Sequence, residues 1–160
     1  RPFNTYGPRQ SARAVIPSII NQLLERKKFI ELGNITTTRD FNYVEDTVNA
    51  FYKAIISDNR KIIGETINIG SGYEISIKDL FYLISELIGH NAKIKTNNKR
   101  LRPAKSEVDR LLADNRLAKK LIGWEPKYLG KIGFSDGLKK TIKWFSEFHN
   151  DDNKQSDYIY

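Results

Sequence analysis

Residues 39–56 read RDFNYVEDTVNAFYKAII, and this stretch decides the fold class. The segment from Phe41 to Val44 has an extended character, and Glu45 and Asp46 then suit the positive end of a helix dipole. Apolar residues follow at spacings of three and four, which places them on one helix face: Val48, Phe51, Tyr52 and Ile55. The stretch therefore predicts a strand that leads directly into a helix ending near Ile56.

The same alternation continues upstream of this stretch. A helix is predicted from Ile16 to Lys28, with Pro17 tolerated in its first turn. Its apolar positions share one face: Ile16, Ile19, Ile20, Leu23 and Leu24. Phe29 to Leu32 then forms a predicted short strand, which the turn residues Gly33 and Asn34 close.

Downstream, the β-branched segment from Glu65 to Ile69 predicts a strand that ends at the glycine-rich turn 70–72. Ser76 and Asp79 resemble a capping box at the start of a helix, and Gly89 is its predicted terminator. The face of that helix is apolar: Ile77, Leu80, Phe81, Ile84, Leu87 and Ile88.

The last third of the chain begins with a basic connection, KIKTNNKRLRP at 93–103. Asp114 is predicted to cap a short helix that ends at Gly123, and Ser135 to cap a last helix. The last helix carries an apolar face: Leu138, Ile142, Phe145 and Phe148. The alternation predicts an α/β fold, with one unit over residues 1–150 and a polar tail over 151–160.

Composition restricts the classes of protein to which the chain can belong. Hydrophobic residues make up 39% and charged residues 29%, which indicates a soluble globular protein. The sequence contains no cysteine and no apolar run near the roughly 18 residues of a membrane span, so we expect a cytoplasmic protein without a membrane partner. The net charge of +8 favours an anionic partner: nucleic acid, an acidic membrane surface or a phosphorylated small molecule.

Two polar residues stand at positions that could serve a site. Asn4 precedes a Tyr-Gly-Pro turn, where its side chain could simply bond that turn. Arg39 could be a solvated charge, a partner for Asp40, or a bidentate grip on a phosphate group. The residues alone leave these alternatives open.

Other polar features give weaker signals. The segment from Lys93 to Arg102 holds five basic residues in ten, which suits a solvated loop or an anion site. It lacks the interleaved aromatic residues that stack on bases, so we expect no nucleic-acid partner. NIGSG at 68–72 could cradle a phosphate, but it lacks the full dinucleotide-binding spacing. His90 and His149 are isolated, and no metal site is predicted.

Six motifs in order carry a family resemblance. They are RPFNTYGPRQ at 1–10, IP at 16–17, RDFNYVED at 39–46, NIGSG at 68–72, RP at 102–103, and AD at 113–114 followed by IGWEP at 122–126. This series resembles the C-terminal half of the extended short-chain dehydrogenase/reductases (SDRs), the NAD-dependent nucleotide-sugar epimerases and dehydratases. The resemblance covers the chain from Arg1 to Phe148.

A narrower resemblance rests on two segments, 102–128 and 133–145. These segments are similar to the 4,6-dehydratases that act on nucleotide-linked N-acetylglucosamine in legionaminic acid biosynthesis. The implied reaction transfers hydride from sugar C4 to NAD, loses water across C5–C6 and returns the hydride to C6. A C4 epimerase is the alternative within the family, because this half is shared between the two enzymes. A stand-alone anion-binding or nucleic-acid-binding module is the alternative outside it.

The resemblance also implies a division of the protein. It implies the C-terminal portion of a Rossmann-type extended SDR with the small α+β substrate-binding domain, the last Rossmann elements lying around 1–6 and 41–70. The Tyr-x-x-x-Lys motif and the glycine-rich dinucleotide loop of the family are missing here, and the sequence has no Met. We therefore expect a longer, homodimeric enzyme whose N-terminal half binds NAD, and we assign no catalytic residue to this chain.

Site residues follow from the resemblance position by position. Asn4 would donate to the diphosphate of a nucleotide-diphosphate sugar, and Arg39 and Arg102 would clamp that diphosphate from two sides. Asn68 would face the nucleotide, Val15 and Ile30 would border its base, and Pro2 would lie beside the nicotinamide of NAD. The expected site residues are thus Pro2, Asn4, Val15, Ile30, Arg39, Asn68 and Arg102.

Overall fold

The fold is seen in a computed structural model that describes residues 1–97 and 108–149. Among these residues, twelve elements follow in order, counting one 3₁₀ turn: β1 (Asn4–Tyr6), α1 (Val15–Leu24), β2 (Phe29–Leu32), β3 (Thr38–Tyr43), α2 (Val44–Ile55), the 3₁₀ turn Arg60–Ile62, β4 (Glu74–Ser76), α3 (Ile77–Ile88), β5 (Lys93–Thr96), β6 (Arg110–Leu111), α4 (Arg116–Ile122) and α5 (Gly130–His149). The predictions for residues 98–107 and 150–160, which include Arg102 and the polar tail, lie outside the described residues. No described helix is both long and apolar enough to cross a bilayer.

The main sheet is built around β3. Strand β1 runs parallel to it, with Asn4 opposite Phe41, and β6 is also parallel. Strand β4 is antiparallel to β3, with Asp40 opposite Glu74. Before β1, a single parallel bridge joins Pro2 to Ile69. A separate pair of parallel strands, β2 and β5, lies beside it with Ile30 opposite Ile94. This mixed structure with parallel strands confirms the predicted α/β class.

Helices α1, α3 and α5 pack together and bury most of the core. The apolar faces predicted for α1 and α3 are confirmed, and Ile19, Ile20 and Leu80 have no exposed surface. Ser76 accepts a hydrogen bond from the Asp79 amide at 3.0 Å, so the predicted cap of α3 is also confirmed. Gly89 ends α3 in the left-handed conformation.

Aromatic residues join α5 to the sheet. Tyr6 lies edge-on to Tyr43 and Phe134, and its hydroxyl donates to the Phe134 carbonyl at 3.1 Å. Burial raises the pKa of Tyr6. A Cβ at Gly137 would lie 2.2 Å from the Tyr6 hydroxyl oxygen, so this crossing needs a glycine. A second small cluster surrounds the buried Trp124: Ala50, Ile69 and Ala118.

Some of the sequence predictions are wrong. Helix α1 ends at Leu24 rather than at Lys28, and the N-cap of α4 is Asn115 rather than Asp114. The segment from Glu65 to Ile69 is not a strand, although it bonds to the start of the chain: the Ile67 carbonyl accepts from the Arg1 amino group at 2.8 Å, and Ile69 exchanges hydrogen bonds with Arg1 and Phe3. Lys93 to Thr96 is a strand rather than a connection, since β2 offers it a partner. Ser135 lies inside α5, which begins at Gly130. Gly133 packs so closely on the preceding segment that an added Cβ would lie 2.3 Å from the Tyr128 carbonyl carbon.

Candidate functional site

A cleft of about 690 Å³ lies between the start of α1, the turn after β2, and strands β1 and β3. The residues that bring side-chain chemistry to it include Asn4, Arg13, Val15, Asn34, Thr37 and Arg39. Among the described residues that line it, two are arginines and none is acidic. The cleft is therefore suited to an anionic group with an apolar portion.

Strand β3 supplies one wall of this cleft through alternate residues. Side chains of a strand point to opposite faces in turn, and Arg39 and Phe41 both line the cleft. Asp40 and Asn42 point the other way and are completely buried. The motif RDFNYVED is thus divided between a ligand-facing side and an interior side.

Two side chains across the cleft carry hydrogen-bond donors. The Arg39 guanidinium donates to the Thr38 carbonyl at 2.8 Å, and its fork of five N–H donors can serve further acceptors. The Asn4 amide nitrogen donates to the Asp40 carbonyl at 3.0 Å, on the neighbouring strand rather than in its own turn. That bond uses one of the two N–H groups of Asn4, and the other can reach a ligand.

Asp40 is held by donors from two distant segments. Its Oδ1 accepts from the Ser71 amide at 2.8 Å and the Ser71 hydroxyl at 2.7 Å. Its Oδ2 accepts from the amides of Gly72 at 2.9 Å and Ala113 at 3.1 Å. The amides of NIGSG that a phosphate would need are therefore already bound to a carboxylate. This turn is a structural clamp for Asp40 and not a phosphate cradle.

Gly70 is needed for this clamp. A Cβ at this position would lie 2.4 Å from the Ala113 Cβ and 3.0 Å from Asp40 Oδ2. Only glycine lets the turn approach the strand and the later segment so closely.

Asp46 plays a matching role at the start of α2. Its two carboxylate oxygens accept from the amides of Lys127 and Tyr128, each at 2.9 Å, and its carbonyl accepts from the Trp124 indole at 3.1 Å. The helix-dipole position predicted from sequence is confirmed, and the structure adds that Asp46 fixes the 124–128 segment.

Glu45, beside Asp46, is part of a charged cluster at the protein surface. Burial alone would raise the pKa of Glu45, but hydrogen bonds from Tyr128 and Lys140 outweigh it and lower that pKa. Tyr128 donates to Glu45 Oε2 at 2.9 Å, and Lys140 contacts both residues. This cluster joins α2 to α5 outside the cleft.

The structure gathers some of the expected site residues and not others. Asn4, Val15 and Arg39 line the cleft. The Ile30 side chain is completely buried in the core, so only its main chain could border a ligand. Asn68 is half-buried and does not line the cleft, and Pro2 is exposed beside Ile69. Arg102 lies outside the described residues.

Sequence reasoning missed several residues of the cleft. Arg13 lines it from just before α1, and Asn34 and Thr37 line it from the turn between β2 and β3. Asn34 accepts from the amide and hydroxyl of Thr36, which shapes this turn. Their closeness in sequence to Val15 and Arg39 was the available signal.

Comparison with known proteins identifies the class. The profile described as GDP-mannose 4,6 dehydratase matches residues 1–141. The chain is 34% identical to the UDP-glucuronic acid decarboxylase 1 of Xenopus tropicalis, over 97% of this chain and 35% of that protein. It is also 34% identical to the human dTDP-D-glucose 4,6-dehydratase, over 94% of this chain and 42% of that protein.

A solved structure shows the same fold. The UDP-glucuronic acid 4-epimerase of Bacillus cereus, in complex with UDP-glucuronic acid and NAD, superposes with a TM-score of 0.79 at 30% identity, over 92% of this chain and 44% of that one. The architecture is that of a Rossmann-type extended SDR, which confirms the fold expected from the resemblance. The chain belongs to the GDP-mannose 4,6-dehydratase family of NAD-dependent nucleotide-sugar epimerases and dehydratases. It spans less than half the length of these relatives.

Proposed function

We propose that this chain is the nucleotide-sugar-binding portion of an NAD-dependent nucleotide-sugar 4,6-dehydratase. The observation that carries the proposal is the cleft itself, which sets Arg39 and Asn4 opposite the start of α1 with no acidic residue among its described lining. The substrate class is a nucleotide-diphosphate sugar, and the narrower sequence resemblance favours nucleotide-linked N-acetylglucosamine of the legionaminic acid pathway.

In this proposal, different residues contact different parts of the ligand. Arg39 grips the diphosphate through its planar fork, and the second N–H of Asn4 donates to the same group. Val15 borders the base from its place on the cleft wall. The Ile30 main chain also borders the base in this proposal. Asn68 and Arg102 complete the nucleotide and diphosphate contacts in this proposal. Together these residues hold the ligand by its nucleotide and diphosphate, away from the sugar chemistry.

NAD binding falls mainly outside this chain in our proposal. When bound, NAD supplies the hydride acceptor for oxidation of the sugar. The described residues fit it poorly, because the glycine-rich amides at 71 and 72 are occupied by Asp40. Pro2 is the one residue assigned to the nicotinamide side. We propose that a preceding half holds the cofactor and the acid/base groups, in a homodimeric cytoplasmic enzyme, and that residues 1–160 alone show no turnover and no NAD binding.

A C4 epimerase is the second candidate. The solved structure described above is a 4-epimerase, and it shares the fold at 30% identity. The two reactions use the same nucleotide and diphosphate contacts, so the geometry of the cleft does not distinguish a dehydratase from an epimerase. Analysis of the reaction product distinguishes them.

The experiment is to incubate the full-length gene product with NAD and a panel of UDP-linked and other nucleotide-linked hexoses. A 4-keto-6-deoxy product from nucleotide-linked N-acetylglucosamine, seen by mass loss of one water, supports the dehydratase. A product of unchanged mass with inverted C4 supports the epimerase. Absence of calorimetric binding to every nucleotide sugar in the panel rejects both.

A further inference from the structure

The outer face of α2 is apolar and exposed. It consists of Val48, Phe51, Tyr52 and Ile55, and between 54% and 81% of each residue's surface is open. The inner side of the same helix is small and polar, with Asp46, Thr47 and Ala50 buried. Helices normally bury their larger apolar side, as α1 and α3 do, so α2 presents the wrong side to solvent.

Two apolar residues that follow the helix in sequence are also exposed, Ile56 by 57% and Ile63, after the 3₁₀ turn, by 79%. The four large apolar residues of α2 lie at spacings of three and four on one helix face, and a patch of this kind marks an interface rather than a scatter of single exposed residues.

We propose that the outer face of α2 is the docking surface for the cofactor-binding half that precedes Arg1 in the full-length protein. Strand β1 ends the sheet order among the described residues, and α2 packs beside it. Parallel sheets are covered by helices on their faces, so a sheet that continues beyond β1 brings its own covering helices alongside α2. The relatives have the length for such a half, because the chain spans only 35% and 42% of two of them.

This inference rests on the proposed function in one respect, the existence of a preceding cofactor-binding half. It goes beyond that function by naming the surface that joins the two halves. Phe51 and Ile55 are the expected anchors, because aromatic and large apolar residues at the centre of an interface contribute most. A second copy of the chain on the same face is the competing occupant, and the test separates the two.

The test uses a matched pair of helix positions. Ile55 on α2 and Ile132 on α5 are 81% and 80% exposed here, and residues 1–160 contain no cysteine. Ile55→Cys and Ile132→Cys are made in the full-length protein, after any cysteine outside these residues has been replaced by serine. The rate at which a maleimide labels each thiol is measured in the folded protein. It is divided by the rate for the same variant unfolded in urea. If Ile55→Cys folds poorly, Tyr52→Cys is used instead, because Tyr52 lies on the same face of α2.

We expect the thiol at position 55 to label at least tenfold more slowly than the thiol at position 132, and equally slowly at all protein concentrations. Equal labelling at the two positions overturns the proposal. Protection that is lost on dilution also overturns it, because the occupant is then a second copy. A gene product without a preceding half overturns it as well. Calorimetry with nucleotide sugars is independent of labelling, so failure of the proposed function is seen separately.

Discussion

The two faces of β3 differ in what they contact. On one face, Arg39 and Phe41 line an open cleft. On the other, Asp40 and Asn42 have no exposed surface, and Asp40 accepts four hydrogen bonds from residues 71–72 and 113. Adjacent residues of one short motif therefore serve binding and folding separately, because the side chains of a strand alternate between its faces.

This difference separates two kinds of effect. A buried carboxylate with charge-assisted hydrogen bonds holds distant segments together, so its loss lowers stability. An arginine in an open cleft adds little to the stability of the fold. Its loss is therefore expected to lower the affinity for the ligand without unfolding the protein. Variants at neighbouring positions should show one effect without the other.

The largest effect is expected for Asp40→Ala. Removing the carboxylate leaves the buried amides of Ser71 and Ala113 without an acceptor, and each orphaned donor costs about 1–3 kcal/mol. We expect the free energy of unfolding to fall by at least ~2 kcal/mol in urea denaturation. Asp58→Ala is the matched control, since that aspartate is exposed on the surface. Equal stability of Asp40→Ala and wild type would contradict the clamp.

Arg39→Ala should instead weaken ligand binding. A hydrogen bond to a charged group is typically worth ~1.5–3 kcal/mol, so we expect a roughly tenfold to hundredfold rise in the Kd for a nucleotide-diphosphate sugar. Thermal stability should change little. Calorimetry of the full-length protein measures the affinity, and Arg60→Ala, outside the cleft, is the control. Unchanged affinity in Arg39→Ala would remove Arg39 from the site.

Gly70→Ala tests the interior side by overpacking. The new methyl group would lie 2.4 Å from the Ala113 Cβ, and overpacking of this kind typically costs about 1–3 kcal/mol. We expect a lower melting temperature that the second change Ala113→Gly partly restores, because it removes the nearest clashing atom. A Gly70→Ala protein as stable as wild type would show that the clamp tolerates a side chain.

The sequence predicted local features better than distant contacts. Helix α3 was predicted because Ser76, Asp79 and Gly89 mark its ends within the helix itself. The role of Asp40 was not predicted, because its partners are 31 and 73 residues away. The segment before Ile69 has strand-like residues, but among the described residues it pairs with no strand, and the Ile67 carbonyl accepts a bond from the Arg1 amino group.

The candidate site divides in the same way. Asn4, Val15 and Arg39 were named from family motifs, and the structure brings them to one cleft. Arg13 and Asn34 were missed, because loop residues of these types are common on any surface. The exposure of the outer face of α2 could not be predicted from the spacing of its apolar residues. That spacing predicts that a helix has an apolar face but not what covers it.

The smallest effect is expected at the start of β3, where the carboxylate of Glu74 joins neighbouring segments by hydrogen bonds at the protein surface. Glu74 accepts from the Arg110 guanidinium at 2.8 and 2.9 Å and from the Thr38 hydroxyl at 2.7 Å. The hydrogen bond from Arg110 is the main cause that lowers the pKa of Glu74 below its ordinary 4.5, with Thr38 second. A lowered pKa in the folded state stabilises the fold above the ordinary pKa, and this stabilisation is lost as the pH falls through the folded value.

NMR titration of the Glu74 side chain should therefore show a midpoint below 4.5 in the wild type and a higher midpoint in Arg110→Ala. Arg116→Ala, which removes an exposed arginine paired with Asp114 instead, should leave the Glu74 midpoint unchanged. Stability near neutral pH should differ little between the variants, because exposed ion pairs contribute little. A large loss of stability in Arg110→Ala would mean that the exposed Glu74–Arg110 pair stabilises the fold as much as the buried hydrogen bonds of Asp40. The proposed difference between buried and exposed carboxylates of this sheet would then be wrong.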